Sequence, residues 1–107
     1  MAGKQSETYW VKVFLAGPID VAKQIIRREA KVDGLCVTID PTTYIYTGGE
    51  EAGYVVGFIN YPRFPKEQFE IWHRAEALAR MLQEETYQDS FTMMAPDHTY
   101  FYTTRTP

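Results

Sequence analysis

The sequence predicts an α+β fold, an antiparallel β-sheet with two helices in the order β-α-β-β-α-β and a last short strand. Runs rich in β-branched and aromatic residues, typical of strands, alternate with two stretches of helical periodicity. Neighbouring strand runs are also joined by turn residues without an intervening helix, which favours antiparallel pairing. With 107 residues, the chain is expected to form a single domain over residues 1–107, with polar residues 1–8 as a flexible arm.

The first strand and first helix are marked by their boundaries. Residues 9–16 are apolar and aromatic, and Gly17-Pro18 ends the run. Pro18 can open a helix because its missing N–H would have had no partner there. The helix carries an apolar stripe at Val21, Ala22, Ile25 and Ile26, and Asp33-Gly34 is its predicted end.

A long β-hairpin is predicted next. Residues 35–39 alternate between apolar and polar, and Asp40-Pro41 should interrupt the strand pairing, as a bulge or a sheet edge. The strand resumes over 42–47, an acidic glycine turn spans 48–53, and residues 54–61 return. The adjacent pair Glu50-Glu51 then lies at a loop tip, where the two side chains diverge and catalysis is not expected.

The sequence of the C-terminal half predicts one helix and two short strands. Residues 66–86 carry apolar side chains on one helical face, including Phe69, Trp72, Ala75 and Leu82. Residues 90–95 and 100–104 are strand-like runs around a turn at 96–99.

Charge and composition exclude several function classes. A net charge of −3 and a pI near 5.3 argue against a duplex-DNA-binding protein, which would carry a basic face. The single cysteine, Cys36, excludes an intrachain disulfide, and neither histidine has a second histidine or a cysteine at helical spacing, so no metal is expected. No cofactor is expected either. The chain shows no leader or spanning segment and is expected to be cytosolic.

Two arginine features are candidates for anion binding. Arg27-Arg28 could capture phosphate with guanidinium forks, or could simply be a solvated face favoured by the helix dipole. Arg63 lies between Pro62 and Pro65 beside an aromatic ring, so it could be a rigid ligand clamp or part of a rigid connector. Arg105, near the chain end, belongs either to a disordered tail or to a lid over a pocket.

The aromatic content points to an assembly. Eight tyrosines and two tryptophans are more than one sheet face and two helix stripes readily bury, and exposed aromatic side chains are common at interfaces. A homo-oligomer with pockets between subunits is therefore expected.

The chain also resembles a bacteriophage family, the anti-defence sponges that counter the Thoeris system. The resemblance is carried by the segments 13–19, 25–29, 34–39, 44–51 and 58–65. It implies a protein that sequesters a cyclic ADP-ribose signal, and in some cases cyclic oligonucleotides, without cleaving it. It further implies no catalysis, a dimer or hexamer, and action in the cytoplasm of the host bacterium.

Within that resemblance, ligand roles follow from side-chain chemistry. The arginines would hold phosphates, Phe91 or a tyrosine would stack on adenine, and Asp97 with Thr99 would contact ribose hydroxyls. The predicted ligand-binding residues are Arg27, Arg28, Arg63, Phe91, Asp97, Thr99 and Arg105.

Two other classes of function stay open. The segment Phe14-Leu-Ala-Gly-Pro18 also resembles the opening of the nucleoside deoxyribosyltransferases, which implies a nucleotide-processing enzyme on a parallel α/β fold. A purely structural oligomeric interaction protein would use its aromatic surface only for assembly.

Overall fold

The structure is a computed structural model and describes residues 1–105. It is a five-stranded antiparallel sheet with two α-helices, which confirms the predicted fold class and element order. The elements are β1 (Trp10–Ala16), α1 (Ile19–Asp33), β2 (Thr38–Tyr46), β3 (Gly49–Ile59), α2 (Gln68–Glu85), β4 (Ser90–Met94) and β5 (Thr99–Thr103). The strands are arranged β2-β3-β1-β4-β5, so β1 is the central strand and β2 and β5 are the edges.

One face of the sheet forms the core with the two helices. The alternation in β1 turns Val11, Val13 and Leu15 inward, and each is at most 2% exposed. Ala22 of α1 and Leu82 of α2 are buried in the same cluster. Burying a side chain of this size stabilises the fold by on the order of 1.5–3 kcal/mol.

The opposite face of the sheet stays partly exposed, and we call it the open face. Phe14 and Lys12 of β1 lie on it, together with Val55 of β3 and Thr92 of β4, which are both paired with Phe14. This face provides the floor of the site described below.

The β2–β3 hairpin differs from its prediction at the tip. The turn consists of two residues, Thr47 and Gly48, and Gly49 already pairs with Tyr46. Gly48 has φ of 92°, the conformation that such a tight turn requires and that glycine adopts most readily. The predicted acidic tip over 48–53 is therefore wrong, and Glu50 and Glu51 belong to strand β3.

Gly53 has a packing role in this strand. A Cβ atom there would overlap the Leu15 carbonyl oxygen and the Tyr44 ring. The glycine thus lets β1 and the Tyr44 side chain approach the backbone of β3 closely.

The sheet edge predicted at Asp40-Pro41 is confirmed, because β2 is an outermost strand. The predicted interruption of the pairing is wrong, since β2 stays paired with β3 through Pro41, which lies opposite Tyr54. The strand starts later than predicted, at Thr38.

Helix α2 begins with a capping box formed by Glu67 and Glu70 and ends before Tyr87, which has φ of 57°. Arg28 of α1 donates to both carboxylate oxygens of Glu85, which ties the two helices together. Over residues 1–105, no helix has both the length and the apolar character needed to cross a membrane.

Candidate functional site

A cavity of about 260 Å³ lies where β1 ends on the open face, and we call it the β1-end cavity. Its aromatic lining residues are Phe14, Tyr44 and Phe91, and its charged lining residues are Glu51, Asp89 and Arg105. The elements that meet here are the end of β1, the middle of the hairpin, the start of β4 and the residues after β5. A mixture of rings and both signs of charge is suited to a ligand that is itself both aromatic and charged.

Tyr44 is held in place by the backbone. Its hydroxyl lies 3.1 Å from the carbonyl oxygen of Leu15 and 3.0 Å from that of Tyr54, and donates its proton to them. Burial raises the pKa of the phenol, and the charge of Glu51, which is paired with Tyr44 across the hairpin, raises it further. Tyr44 therefore stays protonated at neutral pH and presents its ring to the cavity.

Asp89 and Arg105 form the opposite wall. The Nε of Arg105 donates to Oδ2 of Asp89 at 3.0 Å, and a second guanidinium N–H donates to the same oxygen. The backbone N–H of Thr104 donates to the Asp89 carbonyl at 2.8 Å. These contacts extend the β4–β5 pairing by one residue and bring Arg105 to the cavity wall, and its role as a lid stays a prediction.

Phe91 is only 4% exposed and stacks on Tyr102, with ring centroids 4.8 Å apart. Thr92 pairs with Phe14 on the open face, so the preceding residue, Phe91, turns its ring to the core side and offers little ring surface to the cavity. Gln88 lies nearby, with its backbone carbonyl accepting a hydrogen bond from Nε2 of Gln83 at 2.6 Å.

A second cavity, of about 270 Å³, lies on the helix side of the sheet. It is lined by Trp72, Tyr100 and the His98–Asp97 pair, whose Nδ1 and Oδ2 atoms are 2.8 Å apart. The hydrogen bond from His98 holds the pKa of Asp97 below its usual value. We call this the aromatic cleft.

A third cavity, of about 400 Å³, lies at the other end of β1, beside Ile59 and Tyr61. Its charged lining residues are both cations, Lys66 and Arg74. We call it the Tyr61 cavity. No cluster of three His, Cys, Asp or Glu side chains able to hold a metal ion exists among residues 1–105.

The sequence-predicted ligand residues do not converge on one of these cavities. Phe91 and Arg105 line the β1-end cavity, whereas Asp97 lines the aromatic cleft and Thr99 begins β5.

The remaining three arginines lie elsewhere. Arg27 is exposed on α1, Arg28 is paired with Glu85, and Arg63 is exposed in the turn between β3 and α2. Their roles as ligand-binding residues stay predictions.

Sequence reasoning missed Tyr44, Glu51 and Asp89. Tyr44 and Glu51 could have been predicted to lie together from a turn at Thr47-Gly48, because that register sets the two residues opposite each other. Asp89 carried no sequence signal, since its place in the cavity depends on the return of the chain end.

Comparison with known proteins gives two matches, both to solved structures of a phage SAM lyase. The lyase in complex with S-methyl-5'-thioadenosine is matched with a TM-score of 0.72 and 18% identity, covering 96% of this chain and 95% of that one. The apo lyase is matched with a TM-score of 0.71 and 15% identity, covering 100% and 98%. No protein-family model matches the sequence. No curated protein is significantly similar to it. At these identities, the shared property is the fold.

These matches contradict the resemblance to Thoeris sponges. The fold is shared with an enzyme, and the ligand of the matched complex is S-methyl-5'-thioadenosine, not a cyclic ADP-ribose signal. The expectations of a non-catalytic sponge and of that signal as partner are therefore wrong. The dimer or hexamer that accompanied them is not shown.

Two of the segments that suggested the sponge family contain a glycine with a structural role. Gly17 ends β1 with φ of 113°, and Gly48 forms the hairpin turn with φ of 92°.

Proposed function

We propose that this protein is a lyase that cleaves S-adenosylmethionine (SAM) and releases S-methyl-5'-thioadenosine. The observation that carries the proposal is the combination in the β1-end cavity of two carboxylates, one guanidinium and aromatic rings, on a fold shared with a phage SAM lyase.

The charge pattern distinguishes this cavity from the other two. SAM carries a sulfonium, an ammonium and a carboxylate, so it is a net cation with one anionic end. Glu51 supplies negative charge for such a ligand. Asp89 and Arg105 are paired with each other in the free protein, and they would exchange this pair for contacts with the substrate's ammonium and carboxylate. The Tyr61 cavity is larger but is lined by two cations and no carboxylate, which would repel a sulfonium.

The aromatic side chains fit the rest of the substrate. The rings of Phe14 and Tyr44 provide apolar surface for the adenine or for the sulfonium, which interacts favourably with a ring face. The cavity is smaller than the roughly 300–1,000 Å³ of typical small-molecule sites. The substrate would therefore extend onto the open face, along β1 towards Lys12.

The reaction balances without a co-reactant. The bond between the sulfonium sulfur and Cγ of the methionine part breaks, and its electron pair stays on sulfur, which becomes the neutral thioether of S-methyl-5'-thioadenosine. The carboxylate of the same substrate forms the new bond to Cγ, which closes homoserine lactone. No proton is transferred, so no general base is needed.

Charge is lost along this path, because the sulfonium and the carboxylate neutralise each other. The alternative route, loss of a Cβ proton to a base, would give vinylglycine instead. The phage origin of the matched enzymes supports action in the cytoplasm of an infected bacterium.

The test is direct. Purified protein is incubated with SAM, and the products are separated by liquid chromatography with mass detection. We expect S-methyl-5'-thioadenosine and homoserine lactone, and Glu51→Gln should lower kcat/KM at least about tenfold. The control is Glu50→Gln, since Glu50 is the adjacent strand residue outside the cavity lining. Absence of S-methyl-5'-thioadenosine with the wild-type protein would overturn the proposal, and vinylglycine as product would overturn the lactone route.

A further inference from the structure

The Tyr61 cavity has a chemistry different from that of the β1-end cavity. It lies between residues 34–36, the end of β3, the turn at 61–64 and the first half of α2. The two cavities share no lining residue. They lie at opposite ends of β1, roughly 20 Å apart at the rise of an extended strand.

The walls of the Tyr61 cavity are mainly apolar. Leu35, Phe58, Ile59 and Ile71 contribute aliphatic and aromatic surface, and the rings of Tyr61 and Phe64 lie with their centroids 5.6 Å apart. Its volume of about 400 Å³ lies within the usual range for small-molecule sites.

The turn that carries the two rings is fixed by several contacts. The backbone N–H of Phe64 donates to the Tyr61 carbonyl at 3.1 Å, and that of Lys66 donates to the side-chain oxygen of Asn60 at 3.0 Å. The side-chain amide of Asn60 in turn donates to the Glu7 carbonyl at 2.8 Å. Pro62 and Pro65 restrict the backbone further. A ligand would therefore meet rings that are already in position.

The two charged residues that line the Tyr61 cavity, Lys66 and Arg74, are both cations. Arg74 is already engaged, since one guanidinium nitrogen lies 3.5 Å from an Asp33 carboxylate oxygen and another donates to the Asp33 and Gly34 carbonyls. Lys66 makes no ion pair within the described residues 1–105. Lys66 is therefore the cation available to a ligand.

We propose that the Tyr61 cavity binds a small aromatic monoanion, a carboxylate or sulfonate whose ring lies against Tyr61 and Phe64 and whose charge meets Lys66. Charge complementarity selects an anion, because no carboxylate lines the cavity. Such a ligand is chemically unlike SAM, so this site does not depend on the proposed lyase activity.

The test uses a matched pair of fluorescent probes. 8-Anilino-1-naphthalenesulfonate has the ring system and one negative charge, and N-phenyl-1-naphthylamine has the same rings without the charge. We expect the sulfonate to bind with a stoichiometry of one and to bind at least about tenfold more tightly than the neutral probe. Equal affinity for the two probes would contradict the proposed role of Lys66.

Variants locate the binding. Lys66→Gln and Phe64→Ala should each weaken sulfonate binding about tenfold, whereas Lys31→Gln, a control on the exposed end of α1, should leave it within about twofold. Lys66 and Phe64 are both exposed, so these changes should leave the fold intact, as far-UV circular dichroism can check. Unchanged affinity in both variants would overturn the proposal.

The reactivity of Cys36 gives an independent measurement of ligand binding in the Tyr61 cavity. This residue is the one cysteine of the chain, it is exposed, and it lines the Tyr61 cavity. Bound sulfonate should slow its alkylation by iodoacetamide at least about fivefold, as followed by intact-protein mass spectrometry. Alkylation at the same rate in the free and bound protein would place the probe elsewhere and overturn the assignment.

Discussion

Tyr44 and Glu51 are directly opposed across the β2–β3 hairpin, on the sheet face that carries the β1-end cavity. The position of the Tyr44 side chain is fixed by its hydroxyl, which donates to the carbonyl groups of Leu15 and Tyr54. The Tyr44 phenol therefore has an orientation that does not depend on a ligand, and Glu51 lies opposite it across the hairpin.

Replacing Tyr44 with Phe should weaken both the fold and the activity. Loss of the hydroxyl removes its bonds to the two carbonyl groups, which should lower the free energy of unfolding by about 1 kcal/mol. Urea denaturation measures this change. Tyr46→Phe is the matched control, since Tyr46 is an exposed neighbour with no side-chain hydrogen bond among residues 1–105. A loss as large in Tyr46→Phe as in Tyr44→Phe would contradict the assigned role.

Replacing Gly53 with Ala should destabilise the protein by at least about 2 kcal/mol. The new methyl group would overlap the Leu15 carbonyl oxygen and the Tyr44 ring, and backbone cannot move aside as a flexible side chain can. Thermal unfolding should show a fall in Tm of roughly 8 °C or more. Gly3→Ala serves as the control because a Cβ there meets open space. An unchanged Tm in Gly53→Ala would show that β1 and β3 pack less closely at Gly53 than described above, and it would contradict the prediction.

Tyr54 should make stability depend on alkaline pH. Its hydroxyl is buried and has no hydrogen-bond partner among residues 1–105, since the nearby Thr86 hydroxyl donates to the Leu82 carbonyl instead. Burial raises the pKa of Tyr54 to about 12, and Thr86 is close enough to offset only part of this rise. Above pH 10, the unfolded chain therefore loses this proton before the folded one does, and stability falls as the pH rises.

Comparison with Tyr54→Phe isolates that contribution. The wild type should lose roughly 1.4 kcal/mol more than the variant between pH 8 and pH 11, as measured by denaturant titration at each pH. At pH 8, the variant should be as stable as the wild type or more so, because it lacks an unsatisfied buried hydroxyl. A variant that loses stability in parallel with the wild type would refute the prediction.

Tyr87 should be replaceable by glycine with a gain in stability. It follows α2 with φ of 57°, a conformation that strains residues with a Cβ atom, and it is 92% exposed, so its ring contributes little packing. We expect Tyr87→Gly to raise the unfolding free energy by about 0.5–1 kcal/mol. Tyr87→Ala keeps the Cβ atom and should show no such gain; a gain of equal size in both variants would assign the effect to the lost ring.

Much of the fold was predictable, because its signals are local. The β1 strand and both helices follow from periodicity and from Gly17-Pro18 and Gly34, and Pro41 correctly marked an edge. The predicted position of the hairpin turn was wrong because glycines such as Gly49 and Gly53 are typical of turns. Gly53 is in the strand for a reason that only the tertiary structure shows, its contact with Leu15 and Tyr44.

The site was less predictable, because its residues come from four separate parts of the chain. Phe91 and Arg105 were among the predicted ligand residues, but nothing in the sequence joins them to Glu51 or Asp89. The prediction of a rigid turn at 61–65 has a counterpart in the Tyr61 cavity, where Phe64 and Lys66 line the wall and Arg63 does not.

Pro41 also bears on the behaviour of the protein in concentrated solution. Proline fits within a paired strand when its nitrogen faces away from the neighbouring strand. Strand β2 pairs with β3, so the Pro41 nitrogen faces the opposite, outer side of the sheet. The outer rim of β2 then lacks one of the N–H groups that an incoming strand would need. A second chain cannot add to this edge in full register, so the longest exposed strand boundary of the molecule is a poor template for aggregation.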